Sequence, residues 1–331
     1  MKRLNLFIII ALSTIMKLSA QEFKISGYGQ ILYEYSDSRE VKHDLSLRNA
    51  FISIDGEINQ SFKYRLLTDL SNQMLHEFWG EYSFLPQAKL KIGQFSVPVT
   101  VENQLTLDNL ETIYYSRVVT NFIGGGEDLL FLQNGKNNYG KDIGIQLSGI
   151  LIKHLNRNLL EYSVGLFQGT GITTKENNNT KDFAGSLYIK PLEQIQLVAG
   201  MYIGKANYEE FASNEIKEHV RNRYVLSGIF QSKRVTFRSE WIKAKDGSYD
   251  KSGIYALATY QISPNRLTLL GEVSYLKLQH GEKSTDFIIG LNFRPYKYCR
   301  IQLGYQNSIR EFKAMPSKSK NRLNLQTQIS F

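Results

Sequence analysis

Five histidines, His43, His76, His154, His219 and His280, are the first residues to weigh for catalysis or metal binding. They fall mainly in loop-like segments and show no metal-ligand spacing. A Ser–His hydrolase needs the two side chains side by side; His76, near the start of a strand-like segment, is the one candidate, and no serine partner goes with it. The single cysteine, Cys299, excludes a disulfide framework and a cysteine-based zinc cluster. The run Gly124-Gly125-Gly126 precedes an acidic pair and has no lysine to cradle phosphate, so it reads as a loop tip. No cofactor or metal is called for. What remains is charge in register: Lys63 with Arg65, and Lys89 with Lys91, each pair two residues apart. On a strand that spacing turns both side chains to one face, where they can meet an anion together.

The elements that would carry these pairs are strands. Period-two alternation recurs along the chain, while helical periodicity never runs long enough to build a domain. Phe62, Tyr64, Leu66 and Leu70 alternate with Lys63, Arg65 and Asp69; Phe237 and Trp241 alternate with Arg238 and Glu240. The final segment is the cleanest, with Leu323, Leu325, Thr327, Ile329 and Phe331 set against Arg322, Asn324, Gln326, Gln328 and Ser330. Sixteen such segments can be counted, joined alternately by short and longer connections. The short ones include Asn59-Gln60, Pro86-Gln87 and Pro295-Tyr296-Lys297; the longer ones span 36–44, 98–141, 169–181, 205–221, 246–252, 278–284 and 310–320. All six prolines lie in or beside connections, as their missing amide donor requires.

An even strand number with short turns at one end and long loops at the other is the pattern of a transmembrane antiparallel β-barrel of the bacterial outer membrane. The expected fold is therefore all-β with about 16 strands. Closure satisfies every backbone group in lipid, and sixteen strands leave room for an aqueous channel. Residues 1–20 agree with export: Lys2 and Arg3 precede an apolar stretch from Leu4 to Ile15, and Leu18-Ser19-Ala20 offers a small-residue exit. Cleavage after Ala20 leaves residues 21–331 as the barrel. The formal net charge is +9, but Lys2, Arg3 and Lys17 belong to the leader and no basic block follows, so nucleic acid is not an expected partner. A terminal Phe331 on an alternating strand resembles the sorting signal that the barrel-assembly machinery reads.

The segment Leu90-Lys91-Ile92-Gly93-Gln94-Phe95-Ser96-Val97-Pro98, followed by Glu102 and by Tyr114-Tyr115-Ser116-Arg117, resembles the phosphate-selective porin O/P family. Val99-Thr100-Val101 departs from that family's more frequent Gly and Phe. The resemblance implies a sixteen-stranded, trimeric diffusion channel for small hydrophilic solutes, whose third external loop folds inward. Here the connection 98–141, between the fifth and sixth segments and so the third at the long-loop end, is by far the longest and takes the role of constriction loop. Anion passage, phosphate included, would fall to lumen cations. The candidates are Lys63, Arg65, Lys89, Lys91, Arg238 and, by resemblance, Arg117; Lys24, Arg300 and Arg322 share the inward face. Glu34, Asp69, Glu77, Glu81, Glu240, Glu272 and Asp286 are expected beside them, which makes a mixed lumen. The rival readings are a plugged barrel that binds through its loops and a barrel enzyme.

Overall fold

The computed structural model describes residues 22–125, 128, 139–155, 157–209, 216–313 and 315–331. The proposed leader, residues 1–20, lies outside them, as do Lys136 and Glu127 of the long connection. The chain forms β1 (Glu22–Ser36), β2 (His43–Asn59), β3 (Phe62–Asp69) and β4 (Met74–Leu85). Next come β5 (Ala88–Ser96), β6 (Lys141–His154), β7 (Arg157–Phe167) and β8 (Asp182–Leu192). The second half comprises β9 (Ile195–Glu209), β10 (Ile216–Gln231), β11 (Val235–Asp246) and β12 (Tyr249–Ser263). β13 (Leu267–Lys277), β14 (Lys283–Tyr296), β15 (Cys299–Phe312) and β16 (Met315–Ser330) complete it. Each strand pairs with its sequence neighbours, and β1 pairs with β16, so the sheet closes into a sixteen-stranded antiparallel barrel.

Closure explains the composition of the two faces. With every ladder satisfied by a neighbour, the outer surface can be apolar without leaving an open edge. Ile25, Ile92, Leu187, Leu226, Ile289 and Leu303 stand on it, exposed. Toward the short-turn end the outer face carries Phe84, Phe230, Phe237, Tyr260 and Phe293, the interfacial aromatics such a surface uses in a membrane. Cys299 shares the outward face with Ile301 and Leu303. At the seam, Phe331 N–H donates to Gly27 O at 2.9 Å and Gly27 N–H donates to Phe331 O at 3.1 Å. The Phe331 ring lies over Gly27, where an added Cβ would come within 2.5 Å of it.

The strand count agrees with the alternation, but the long connections need correction. Segment 205–221 is largely the ends of β9 and β10, 246–252 contracts to the two residues between β11 and β12, and 310–320 becomes the β15–β16 hairpin. These strand ends carry polar residues on both faces, as in Lys217-Glu218-His219 or Ser317-Lys318-Ser319-Lys320. Past the apolar band there is no hydrophobic contrast for period two to display. Two of the expected long connections remain long, 97–140 between β5 and β6 and 168–181 between β7 and β8.

Candidate functional site: a loop docked inside the barrel

The eight strand cations and the seven acids assigned to the inward face share the lumen side of the ladder, while Arg117 lies in the β5–β6 connection. Register links Glu57 to Lys63 and Lys63 to Glu81, then Glu81 to Lys91. On the far wall it links Ile229 to Arg238, Glu240 to Tyr255 and Leu257 to Glu272. In an antiparallel sheet, partners in register lie on one face, so the alternation read locally on each strand closes consistently around the barrel.

The described part of the β5–β6 connection is bonded to this inner wall. Its base is closed where Val97 N–H donates to Gly140 O at 2.9 Å. Lys141 Nζ, at the start of β6, reaches Glu77 Oε1 of β4 at 2.8 Å. The loop crosses at once to β11, where the Glu240 carboxylate accepts from Val101 N–H and Glu102 N–H at 2.7 and 2.9 Å. A 3-10 turn, Glu102–Gln104, follows. Farther on, Arg238 Nη1 and Nη2 donate to the two Glu111 oxygens at 3.1 and 2.9 Å. Arg300 of β15 holds Leu110 O at 2.8 Å, and Asn292 of β14 holds Glu111 O at 2.7 Å. Arg48 of β2 holds Ile113 O at 2.6 Å, while the Tyr114 hydroxyl donates to Glu34 of β1 at 3.1 Å. The loop thus meets the wall on strands far apart around the barrel.

Apolar contact accompanies these bonds. Leu107 and Leu110 are buried with Tyr28, Phe51 and Leu67. A short helix, α1 (Arg117–Phe122), is capped by Ser116 Oγ, which accepts from Val119 N–H at 3.2 Å. Its Val118, Val119 and Phe122 are buried in one cluster with Phe95, Ile242, Tyr255 and Leu257 of the wall. Arg223 Nε of β10 donates to Phe122 O at 2.8 Å. Burial pushes the Glu102 carboxyl up to about 7, with Glu240 adding to the rise and Arg238 opposing it.

The candidate anion ligands are engaged to different degrees. Arg238 is 3% exposed and lies between Glu111 and Glu102. Arg65 Nε sits 2.5 Å from Asp55, Lys91 Nζ 3.3 Å from Glu81 and Lys63 Nζ 3.7 Å from Glu57. Lys91 Nζ also stands 4.3 Å above the Trp79 ring. Arg117 donates to Ser284 Oγ and lies 3.6 Å from Asp286, a tie between loop and wall. Lys89 faces Ser83 and Ser148 and, among the described residues, has no carboxylate within 4.0 Å.

Two β-bulges add inward residues that alternation does not disclose. Gln30 pairs with Asn49 and Ile31 with Leu47, which leaves Arg48 as the extra residue of β2. Leu67 pairs with Glu77 and Thr68 with Leu75, which leaves His76 extra in β4. A bulge locally re-aims a side chain. Arg48 lines a cavity of about 210 Å³ between the loop and β2, whose wall also includes Tyr115, Val119 and Tyr139. His76 packs against Phe51 and Tyr139, with ring centroids 4.8 and 5.1 Å away. Arg221 and Arg223, hidden to sequence reading inside the assumed loop 205–221, also face inward; Arg221 binds Asp128 at 3.0 Å and Arg223 binds Asp246 at 2.7 Å. Their spacing of two, continued by Val225 and Ser227, is the signal that could have found them.

A closed sixteen-stranded barrel with a charged lumen and its longest loop docked inside is the architecture of porin-type outer-membrane channels. Solved structures of outer-membrane proteins share the barrel fold over nearly the whole chain. The outer-membrane channel DcaP of Acinetobacter baumannii superposes with a TM-score of 0.69 at 13% identity, covering 94% of this chain and 97% of that one. OmpF of Salmonella typhi, solved with daunomycin, gives a TM-score of 0.68 at 9% identity over 94% and 98%. OmpT, an outer-membrane protein of Vibrio cholerae, gives 0.64 at 10% identity over 96% and 99%. At these identities the likeness is one of fold. No protein-family model matches the chain, and no curated protein matches it by sequence.

Proposed function

We propose that the protein is a porin of the bacterial outer membrane that lets small hydrophilic solutes diffuse passively, with no chemical step and no cofactor. The observation that carries this reading is the loop 97–140 bonded to the inner face of β11, β14, β15 and β2, inside a barrel whose lumen side is polar and charged. In the proposed arrangement residues 1–20 are removed on export, the assembly machinery reads Phe331, lipid surrounds the apolar face, and three copies associate. OmpT of Vibrio cholerae was solved in a trimer form, which supports the last point by likeness of fold.

Because most lumen cations face a carboxylate partner, the reading favoured here is a general pore with a modest anion bias, rather than one row of free cations for phosphate. The resemblance at residues 90–117 keeps phosphate among the solutes to measure. Purified protein in a planar bilayer should give discrete, long-lived conductance steps, with a reversal potential in a salt gradient reporting the bias. A correctly assembled barrel that never conducts would favour the plugged reading. For orientation, a cysteine at Asn178 should be labelled on intact cells and one at Asn265 protected; the opposite pattern would invert the topology.

A further inference from the structure

Among the lumen arginines, Arg48 is set apart by what it lacks. Arg65, Arg117, Arg221, Arg223, Arg238 and Arg322 each have a carboxylate oxygen within 4.0 Å. Arg48 has none among the described residues. Its Nη1 donates to Ile113 O and to Gln326 Oε1 at 2.6 and 2.7 Å, while among the described residues no acceptor meets Nε or Nη2. The nearby acid on β3, Asp69, is engaged elsewhere: it accepts from Ala50 N–H, from Ser71 and from Asn72 Nδ2. Arg300 also lacks a carboxylate partner among the described residues, but it is buried under the loop and holds Leu107 O, Leu110 O and Gln328. Arg48 instead borders open space, the cavity of about 210 Å³, whose rim includes exposed Asn72 on the β3–β4 connection.

The remaining wall of that cavity is mostly uncharged and flat-sided. The Tyr115 and Tyr139 rings lie 6.4 Å apart at 50°, and Val119 and Ile123 add aliphatic surface. The Tyr115 hydroxyl is turned away, donating to Leu105 O at 2.7 Å. Burial pushes both tyrosine hydroxyls up, so these rings stay neutral. Tyr114 lies under the guanidinium, 4.4 Å from centroid to Cζ, and fixes its plane. A guanidinium with two adjacent N–H groups unfilled matches the two oxygens of a carboxylate. The other polar side chains of the lining, Asn49, Asn72, Asn103 and Thr120, already donate within the protein, to Gln30, Asp69, Val97 O and Arg117 O. Inorganic phosphate is strongly hydrated and would need several donors, whereas the cavity offers one open fork beside the rings. A pocket of that kind suits a small ligand with one charged end and an apolar body. At ~30 Å³ per water, the space equals about seven waters, enough for a single ring.

We propose that this cavity is a solute-binding site of the pore for small organic monocarboxylates with a flat apolar body, with Arg48 as its specificity-determining residue. The assignment rests on the diffusion-pore reading above and deepens it. Benzoate is the probe, with benzyl alcohol and inorganic phosphate as controls. In single-channel recordings benzoate should cause concentration-dependent interruptions of current. Arg48→Gln should weaken that block about tenfold or more, the effect of losing a charge-assisted pair, with Arg48→Lys in between. Benzyl alcohol and phosphate should block far less. Each variant is first checked for the heat-modifiable mobility of a folded barrel, because Arg48 also anchors Ile113. Saturation-transfer NMR of benzoate on the detergent-solubilised full barrel reads the site even if no current flows. A silent channel that still binds benzoate through Arg48 would sink the diffusion reading and leave the site standing. Benzoate binding equal in wild type and Arg48→Gln would overturn the site, as would equal binding of benzyl alcohol or phosphate.

Discussion

The Arg238 guanidinium grips the Glu111 carboxylate through two hydrogen bonds of 3.1 and 2.9 Å, joining β11 to a loop residue 127 positions earlier in the chain. Arg238 thus fastens the loop 97–140 to the wall. Removing the Glu111 charge leaves the buried Arg238 guanidinium with Glu102, at 3.4 Å, as its remaining carboxylate partner. Glu111→Gln should therefore lower barrel stability by about 1–3 kcal/mol and make the open current noisier. Heat-modifiable mobility and bilayer recordings measure the two effects; an unchanged melting midpoint would count against the fastening role.

Loop removal gives a larger effect. Deleting the segment between Asn109 and Lys136 eliminates Glu111, Ile113 and α1 together, which are ties to β11, β2 and β10. Single-channel conductance should rise severalfold and larger solutes should enter. Unchanged conductance in an assembled barrel would place the narrow zone elsewhere.

Replacing Lys89, Lys91 and Arg117 together by Gln should lower the anion-to-cation permeability ratio. Loss of Lys91 and Arg117 leaves Glu81 and Asp286 without these partners, so the lumen gains net negative character beyond the loss of Lys89. Reversal potentials in a salt gradient read this directly. An unaltered ratio would remove these three residues from the selectivity zone.

Loop docking should depend on pH through Glu102. Its carboxyl is raised by burial from the ordinary 4.5 to about 7, so the folded state favours the protonated form. The corresponding stability is fully present below pH 4.5 and is lost as pH rises through about 7. Thermal midpoints of the wild type should fall across that window, and Glu102→Gln should flatten the dependence. A parallel fall in the variant would assign the titration to another group.

The seam predicts an assembly phenotype. Removing Phe331 deletes both backbone bonds to Gly27 and the ring that covers it, so less folded barrel should reach the outer membrane. Gly27→Val, which forces a side chain into that ring, should weaken the seam while keeping the terminal aromatic. Normal yield of heat-modifiable barrel after Phe331 removal would discount the sorting role.

Sixteen strands, the facing of Lys63, Arg65, Lys89, Lys91 and Arg238, and the length of the third loop were legible in the sequence alone. Side-chain direction on a strand is a local property with period two, and an apolar lipid-facing row marks its phase. The contacts that define the site were not legible. Whether Arg238 is free or clasped depends on Glu111 arriving from across the lumen, and Arg48 enters the lumen only because a bulge breaks the period. The long-loop ends of β9 to β12, β15 and β16 read as loops in the sequence because beyond the lipid band both faces are polar, and their partners, such as Glu218 for Lys205, sit on the neighbouring strand. Local alternation decides which way a side chain points; closure of the barrel and docking of the loop decide what it meets there, because those partners come from sequence-distant segments brought together only by the finished ladder.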